Sequence, residues 1–438
     1  MKIQIAGLIM ILAAAAAAQT PAEKLAAHAA GFKQEVVEVA EGVHVALGYG
    51  LANAILVEGA DGVLIVDTME SPVTAGEVKK AFDAITVKPV KGIVYTHFHA
   101  DHIGGAGVFA GEGAPAVYAH EDTDHLVEEA KGPIAQIIRT RSIRQFGLGL
   151  PEELQISGGI GLKLSPSVGM QPKYLAPAVT LDAERASYEV AGIKFDLVKA
   201  PGETDDQIYV WLPEKKVLLC GDNYYNAFPN LYAIRGTSYR DVRGWAESLE
   251  KMLAEGAEAL VPSHTGPIIG AEAVRETLTN YRDAIRHVHD ETVKGMNAGK
   301  TPDELAASIA LPEHLGGLPY LQEYYGTVAW SVRSIYNGYL GWFDGNATNL
   351  YPLGVRQRAE RTAKLAGGKD KLLAAAQQAL AEGDAQWAAE LTDLLLALEH
   401  EVPVVKALKA EALTVLGKEQ ISANGRNYYL VSAEQLKR

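Results

Sequence analysis

The sequence predicts an α/β protein in which two sheets lie between layers of helices, followed by an all-α region. Through the first 270 residues, short apolar stretches bounded by glycine alternate with helical patterns, which is typical of two sheets sandwiched between helices. After Gly270 the apolar residues recur at intervals of three and four, which indicates helices alone. With 438 residues, 48% of them hydrophobic, the chain is long enough for two or three domains.

The N-terminus is typical of a secretory signal peptide over residues 1–18. Lys2 precedes a mostly apolar stretch, and three alanines lie just before Gln19, as at a cleavage site. We therefore expect a periplasmic or secreted protein, with a retained N-terminal anchor as the alternative. No later stretch is long and apolar enough to span a bilayer, so we expect no stable membrane insertion.

Residues 19–34 are predicted as a short helix or linker, and residues 35–269 as the α/β domain. Its expected strands cover residues 43–46, 52–58, 63–67, 92–95, 116–119, 187–190, 193–198, 208–212, 216–220 and 260–261, the last of which runs into a loop with a histidine. Ser71 is a predicted helix cap, and a long helix is expected from about residue 121. Residues 146–178 are rich in glycine, proline and serine and are predicted to form a loop over the site, because loops this long usually have a function.

Residues 270–438 are predicted to be helical, with helices over 271–297, 321–340 and most of 356–417. The alanine-rich stretches carry apolar residues at helical spacing, which favours a bundle that packs and pairs over a helical-repeat array.

Charge and cysteine content exclude two classes of protein. The net charge of −14 argues against a nucleic-acid partner, which would need a basic face. Cys220 is the only cysteine, so there is no disulfide framework. Because it ends an apolar strand pattern, we interpret it as a core residue rather than a nucleophile.

The most informative motif is H-x-H-x-D-H, formed by His97, His99, Asp101 and His102. Imidazole and carboxylate groups are the ligands of a borderline metal such as zinc. His97 and His99 point the same way on an extended turn, while Asp101 and His102 lie further round the loop. The spacing therefore suits two adjacent metals; the alternative is a chance cluster on a surface loop.

Three more polar residues follow predicted strands: Glu203, Asp222 and His264. Taken singly, such carboxylates are more often turn residues than ligands. Together with the first motif, they predict a complete set of ligands at one edge of the sheets.

These motifs resemble the metallo-β-lactamase superfamily, and more closely its alkyl sulfatase branch. The matching segments are residues 96–102, 200–204, 221–223, 230–236, 263–264, 324–326, 339–346 and 426–430. The resemblance covers nearly the whole mature chain. It implies a metallo-β-lactamase αββα sandwich followed by an all-α dimerisation domain over residues 270–438, and hence a homodimer. Full-length members of the family carry a small lipid-carrier-like domain at the C-terminus, whereas this sequence ends at Arg438, just past the dimerisation segment.

The resemblance further implies two Zn²⁺ ions per chain. His97, His99 and Glu203 would hold one ion, and Asp101, His102 and His264 would hold the other. Asp222 would bridge the two ions, where the family usually has a glutamate.

Arg235 and Arg240 match arginines that bind the sulfate group in the family, and Arg235 would also stabilise charge during catalysis, together with Asp222 at the metals. A guanidinium fork suits a tetrahedral anion. The alternative for each is a surface arginine at a helix cap. Asn226 and Pro229 stand in a stretch where the family often has histidines.

The implied function is hydrolysis of an alkyl sulfate ester to alcohol and sulfate by metal-activated water. One alternative is another hydrolase of this fold, acting on a β-lactam, a lactone or another ester. The other is a dimeric scaffold with structural metals, although structural zinc sites are closed.

Overall fold

The computed structural model describes residues 19–164 and 171–438. The predicted signal peptide, residues 1–18, lies outside the described residues. So do residues 165–170 of the predicted loop.

The described strands number thirteen. They are β1 (Glu35–Ala40), β2 (Val43–Leu47), β3 (Ala54–Glu58), β4 (Val63–Val66), β5 (Val90–Val94), β6 (Ala116–His120), β7 (Val179–Leu181), β8 (Arg185–Val190), β9 (Ile193–Lys199), β10 (Ile208–Leu212), β11 (Val217–Gly221), β12 (Ala259–Pro262) and β13 (Ile268–Ile269).

Sixteen α-helices are described. They are α1 (Pro21–Ala29), α2 (Pro72–Asp83), α3 (Ala100–Ile103), α4 (Ala106–Ala110), α5 (Thr123–Glu129), α6 (Ala135–Gln145), α7 (Val242–Ala254), α8 (Ala271–Asn297), α9 (Pro302–Ser308), α10 (Glu313–Gly316), α11 (Val328–Leu340), α12 (Val355–Leu365), α13 (Lys369–Ala381), α14 (Ala385–Ala397), α15 (Val402–Lys418) and α16 (Ala423–Leu436).

The strands form two mixed sheets. The first has the order β1-β2-β3-β4-β5-β6-β7, and the second has the order β13-β12-β11-β10-β9-β8. Strands β4 to β7 pair in parallel, as do β11 and β12. The carboxyl ends of β5, β11 and β12 therefore lie at sheet edges where loops can meet.

The main core lies between the two sheets. Val45 and Ile55 of the first sheet and Phe195 and Leu219 of the second belong to one buried apolar cluster. Alternate residues of the same strands face outward. Ile65 and Ile93 pack with Phe82 of α2 in a second cluster.

A helical layer covers the outer face of the second sheet. Trp245 of α7, Tyr281 of α8 and Ile335 of α11 share a buried cluster with Leu218 and Leu260 of that sheet. The architecture is therefore the predicted αββα sandwich followed by a helical region. Residues on both sides of the boundary predicted after residue 269 belong to this buried cluster.

Two predicted helices differ from the observed ones. The long helix expected from residue 121 is two helices, α5 and α6, because Gly132 and Pro133 lie between them and proline disrupts a continuing helix. The helix expected over 321–340 begins only at Val328, where the side chain of Thr327 accepts a hydrogen bond from the backbone N–H of Trp330. Ser71 caps α2 as predicted.

The C-terminal helices α12 to α16 follow one another with short connections and pack in sequence. Within residues 19–164 and 171–438, every helix is too short or too polar to cross a membrane.

Candidate active site

The seven predicted metal ligands meet at one edge of the sandwich. The H-x-H-x-D-H motif follows β5, Glu203 follows β9, Asp222 follows β11 and His264 follows β12. Gly221 makes the last turn of β11 possible, since its φ is +57° and a Cβ there would lie 2.0 Å from Gln207 Nε2. Only glycine adopts this conformation without strain at such a close approach.

The first group of donor atoms lies around His97. His97 Nε2 is 2.9 Å from His99 Nδ1 and 3.8 Å from Asp222 Oδ2. These three side chains can offer their ligand atoms to one ion. Glu203 lies beside them, with its Oε1 4.0 Å from His99 Nδ1.

The second group is formed by Asp101, His102 and His264. Asp101 Oδ2 lies 3.6 Å from His102 Nε2 and 3.5 Å from His264 Nε2. Asp222 Oδ2 lies 3.6 Å from His102 Nε2 and 3.2 Å from His264 Nε2. Two ligands of a tetrahedral zinc, each about 2.1 Å from the ion, are about 3.4 Å apart. The spacing therefore fits ligands that share an ion, and Asp222 lies between the two groups.

Unsatisfied buried atoms support a cation at this position. His102 Nε2 and Asp222 Oδ1 are buried and have no hydrogen-bond partner within the described part of the chain. Buried polar atoms are normally paired, and a distance of 3.6 Å is too long for a hydrogen bond. Metal coordination would satisfy both atoms.

The charges of the cluster also suit a metal. Burial, together with the neighbouring His102, holds the pKa of His97 well below its ordinary value, so the ring is neutral. Burial alone would also lower the pKa of His102, but Asp222 and other carboxylates outweigh it and raise that pKa well above the usual range. A site that attracts positive charge so strongly suits a divalent cation.

Asp67 is the centre of the hydrogen-bond network behind the ligands. It follows β4 in the left-handed backbone region, with φ of 56°, and is completely buried. Its Oδ2 lies 2.8 Å from His102 Nδ1 and accepts from Ser263 Oγ at 2.5 Å. Its Oδ1 accepts from the backbone N–H of Thr96 at 2.9 Å. Asp67 therefore fixes the orientation of His102 and ties together the loops after β5 and β12.

Other contacts hold the histidine rings through their outward nitrogens. His264 Nδ1 lies 2.8 Å from the carbonyl oxygen of Leu51, and His97 Nδ1 lies 3.1 Å from Thr96 Oγ1. The amide of Asn53 donates to the carbonyl of Thr265 at 2.8 Å, which holds the turn carrying His264. Such partners fix the ring orientation of metal-binding histidines.

The two predicted arginines have different surroundings. Arg235 is half-buried, its Nη2 lies 3.1 Å from His99 Nε2, and it has no carboxylate partner among the residues described. Arg240 is only 3% exposed. Its Nη2 lies 2.8 Å from Glu203 Oε1, and its Nη1 donates to the carbonyl of Asn230. Arg235 is thus available to an anion, whereas Arg240 already neutralises Glu203.

A cavity of about 1160 Å³ opens over the predicted metal ligands. Its polar end includes His99, Asp101, Asp222, Arg235 and His264. Large apolar side chains also line the cavity: Leu126, Val127, Ile134, Ile137, Ile138, Phe146 and Leu164. Phe146 and Leu164 belong to the predicted 146–178 loop, which therefore contributes to the cavity.

Glu70 is an unexpected titratable residue in the cavity wall. It is 9% exposed, and neither carboxyl oxygen has a hydrogen-bond partner in the described segments. Burial raises its pKa to about 7, with a further contribution from the charge of Asp101.

Comparison with known proteins places this site in a family. Residues 47–264 match the model of the metallo-beta-lactamase superfamily, and residues 301–438 match that of the alkyl sulfatase dimerisation domain. A linear primary-alkylsulfatase of Pseudomonas sp. is 40% identical over 388 residues, covering 87% of this chain and 73% of the relative. The chain belongs to the alkylsulfatase family.

Other alkylsulfatases agree with this assignment. An (R)-specific secondary-alkylsulfatase of Pseudomonas sp. is 30% identical over 89% of this chain and 60% of its own length. The solved structure of the inverting sec-alkylsulfatase Pisa1 from Pseudomonas sp. superposes with a TM-score of 0.88 and 27% identity, covering 95% of this chain and 67% of that one. The predictions of family, fold class and a metal-dependent enzyme are confirmed, while the role of each alkylsulfatase site residue stays a prediction.

Sequence reasoning missed several residues of this alkylsulfatase site. Asp67 and Asn53 act on the ligands from behind, and Arg141 of α6 lines the cavity. The sequence does contain one signal for Asp67: it is a charged residue that directly follows the apolar strand β4 and precedes Thr68 and Met69. For Asn53 and Arg141 no local pattern distinguishes them from ordinary polar residues.

Proposed function

We propose that this alkylsulfatase hydrolyses alkyl sulfate esters to an alcohol and sulfate, with two zinc ions held by the two donor groups. The observation that carries the proposal is Arg235, a guanidinium without a carboxylate partner in the described residues, which lines the cavity beside His99. In a chain of net charge −14, such a free cation at a metal site suits an anionic substrate.

The proposed metals would supply Lewis acidity and lower the pKa of a water molecule. His97, His99 and Glu203 would hold one ion, Asp101, His102 and His264 the other, and Asp222 would contact both. Its Oδ2 lies within 3.8 Å of the inward nitrogens of three histidines, which supports this shared role. Because nitrogen and carboxylate ligands tolerate several divalent metals, zinc itself is part of the proposal.

Arg235 would bind the sulfate group. A guanidinium only donates hydrogen bonds, so its contact with His99 Nε2 requires that nitrogen to be unprotonated. If His99 held a metal through Nδ1, the proton of its neutral ring would lie on Nε2. The guanidinium would then be released from His99 and could turn to an anion in the cavity.

The apolar walls would receive the alkyl chain. Leu126, Ile138 and Phe146 line the cavity, and burying each CH₂ of a substrate against such apolar side chains would contribute about 0.8 kcal/mol. A linear primary-alkylsulfatase among the relatives supports a chain-like substrate.

We also propose that the protein is a homodimer and is periplasmic or secreted. The match of residues 301–438 to the alkyl sulfatase dimerisation model supports the dimer. The signal-peptide pattern in residues 1–18 supports export.

Sulfate release from a panel of linear and branched alkyl sulfates tests the proposed function. Protein with two zinc ions per chain should release sulfate, and removal of the metal with a chelator should abolish the activity until zinc is restored. The variant His99→Ala should bind less zinc and lose activity. If the zinc-loaded enzyme releases no sulfate but opens a lactone or β-lactam, the alternative hydrolase is correct.

A further inference from the structure

The helix α6 directly supports the segment that carries Arg235. This segment lies between β11 and α7 and contains no regular helix or strand. Gln145, the last residue of α6, is completely buried, and its Oε1 accepts a hydrogen bond from the backbone N–H of Arg235 at 2.8 Å. Because no helix or strand holds the backbone of Arg235, this hydrogen bond is one of the contacts that fix the point from which the guanidinium extends.

The next residue allows the close approach of α6. Gly236 has a φ of +108°, and a Cβ there would lie 2.8 Å from Ile138 Cδ1. A side chain at this position would force the end of the Ile138 side chain to move, whereas glycine leaves room for Ile138 of α6 to pack against the turn. Gln145 and Ile138 therefore contact two consecutive residues of the segment.

The C-terminal helix α16 holds the end of α6 in turn. The side-chain amide of Asn427 donates to the carbonyl oxygen of Gln145 at 3.3 Å, and Asn427 is only 5% exposed. Leu430 and Val431 of α16 form a small buried cluster with Leu150 just beyond α6. A continuous series of contacts thus runs from α16 through Gln145 to Arg235.

We propose that Gln145 is a positioning residue for Arg235 and that α16, held to it by Asn427, sets the affinity of the site for the sulfate group. This inference rests on the proposed function, since it assigns Arg235 to sulfate. The physical reason is that a guanidinium binds a tetrahedral anion well only when its fork is correctly placed, and displacements of about 1 Å reduce activity by up to about 100-fold. The helical region would thereby influence the active site of its own chain.

The test compares two substitutions of the same residue. Gln145→Leu removes the acceptor at similar volume, and we expect KM for an alkyl sulfate and Kd for inorganic sulfate to rise about tenfold, with kcat changed much less. Gln145→Glu keeps an acceptor oxygen at the same position and should restore both constants. The zinc content should be equal in all three proteins, because Gln145 contacts none of the proposed ligands.

A control and a second variant separate positioning from general packing. Arg144→Ala removes the bond from Arg144 Nε to Gln435 Oε1, 3.0 Å long, at the exposed side of the same helix pair, and should leave KM unchanged. Asn427→Leu should raise KM and the sulfate Kd in the same direction as Gln145→Leu, even if Gln145→Leu does not fold.

Three outcomes overturn the inference. They are unchanged KM and sulfate Kd in the leucine variants, equal losses in Gln145→Leu and Gln145→Glu, and an equal loss in Arg144→Ala. If the wild-type enzyme releases sulfate and the leucine variants have the same KM and sulfate Kd, only the positioning role is refuted. A wild-type protein that neither binds nor releases sulfate refutes the proposed function as well.

Discussion

Single oxygen atoms organise the site at the residue scale. Asp222 Oδ2 lies between the two groups of histidines, and Asp67 Oδ2 receives contacts from His102, Ser263 and Thr96. The first carboxylate faces the proposed metals, and the second lies behind a ligand. Each connects segments that are far apart in the chain, so the loss of either should affect several ligands together.

Arg235→Ala tests the proposed sulfate contact. We expect kcat/KM for an alkyl sulfate to fall about 100- to 1,000-fold, because a preorganised charge is lost where the sulfate leaves. Steady-state kinetics would measure this. Arg243→Ala is the control, since this arginine is exposed and pairs with Glu247 in the same helix. An Arg235→Ala enzyme with normal sulfatase activity would contradict the assignment.

Asp67→Asn tests the support of the metal ligands. The amide would lose the charge that orients His102, and we expect zinc affinity to fall about 10- to 100-fold. Competition with a chromophoric chelator would measure this affinity. Asp61→Asn, at an exposed turn before β4, should bind zinc as the wild type does. Equal affinities of the two variants would show that Asp67 does not support the site.

Glu70 predicts a pH dependence of stability in the metal-free protein. Because burial raises the pKa of Glu70 from 4.5 to about 7, the folded state keeps this proton when the unfolded state loses it. Its contribution is full below pH 4.5 and is lost as the pH rises through 7. Glu70→Gln should therefore gain stability relative to the wild type between pH 5 and pH 8.5, on the order of 3 kcal/mol.

Thermal unfolding at the two pH values, after treatment with a chelator, measures this difference. Asp61→Asn again serves as the control, because Asp61 is exposed. A difference between Glu70→Gln and wild type that is the same at both pH values would contradict the shifted pKa.

Strand ends and the turns after them place the ligands at the element scale. Strands β5, β11 and β12 bring their following loops to one edge, and hydrogen bonds between those loops fix the turns. The backbone N–H of Ser263 donates to the carbonyl of Gly221 at 3.0 Å, which joins the loops that carry His264 and Asp222. The sheets therefore set the separation of the ligands, and the turns set their direction.

Two glycine substitutions separate turn strain from crowding. Gly221 and Gly256 both have positive φ, 57° and 65°, but a Cβ would clash at Gly221 and meet open space at Gly256. Gly256→Ala should cost roughly 1–2 kcal/mol of unfolding free energy from the backbone alone. Gly221→Ala should cost about 1–3 kcal/mol more through overpacking. Denaturant unfolding measures both, and equal costs would contradict the crowding at Gly221.

An exposed apolar surface marks the helical region at the scale of the whole molecule. Seven large apolar side chains within residues 339–355 are exposed: Tyr339, Leu340, Trp342, Leu350, Tyr351, Leu353 and Val355. Exposed apolar patches commonly mark protein interfaces. Their position within the dimerisation match makes this surface part of the proposed homodimer interface.

Trp342→Asp tests the dimer. Because Trp342 is 74% exposed, a charge there should leave the fold of the chain intact but should be costly to bury against a second copy. We expect the mass measured by light scattering to fall from that of a dimer to that of a monomer. Val87→Asp is the control, since Val87 is 95% exposed in the α/β domain. A wild-type monomer, or a Trp342→Asp dimer, would contradict this interface.

Local signals were sufficient for most of the fold and for the first metal motif. Apolar stretches of four to six residues predicted strands such as β4 and β11, because a short apolar run bounded by turn residues is visible in the local sequence. The break between α5 and α6 lies at Gly132 and Pro133, but the helical apolar pattern continues on both sides of it, so the pattern alone predicts one helix. Asp67 was missed because its partners lie 29 to 196 residues away.

The sequence by itself determined the class of the fold, the family, and the residue types that can hold two metals, since these depend on local pattern and on side-chain chemistry. Only the tertiary structure decided how these residues are shared. It placed Asp222 between the two groups, paired Arg240 with Glu203, left Arg235 facing the cavity, and connected Arg235 through Gln145 to α16. These outcomes depend on distances between segments far apart in the chain, and packing of the two sheets and the helices around them sets those distances.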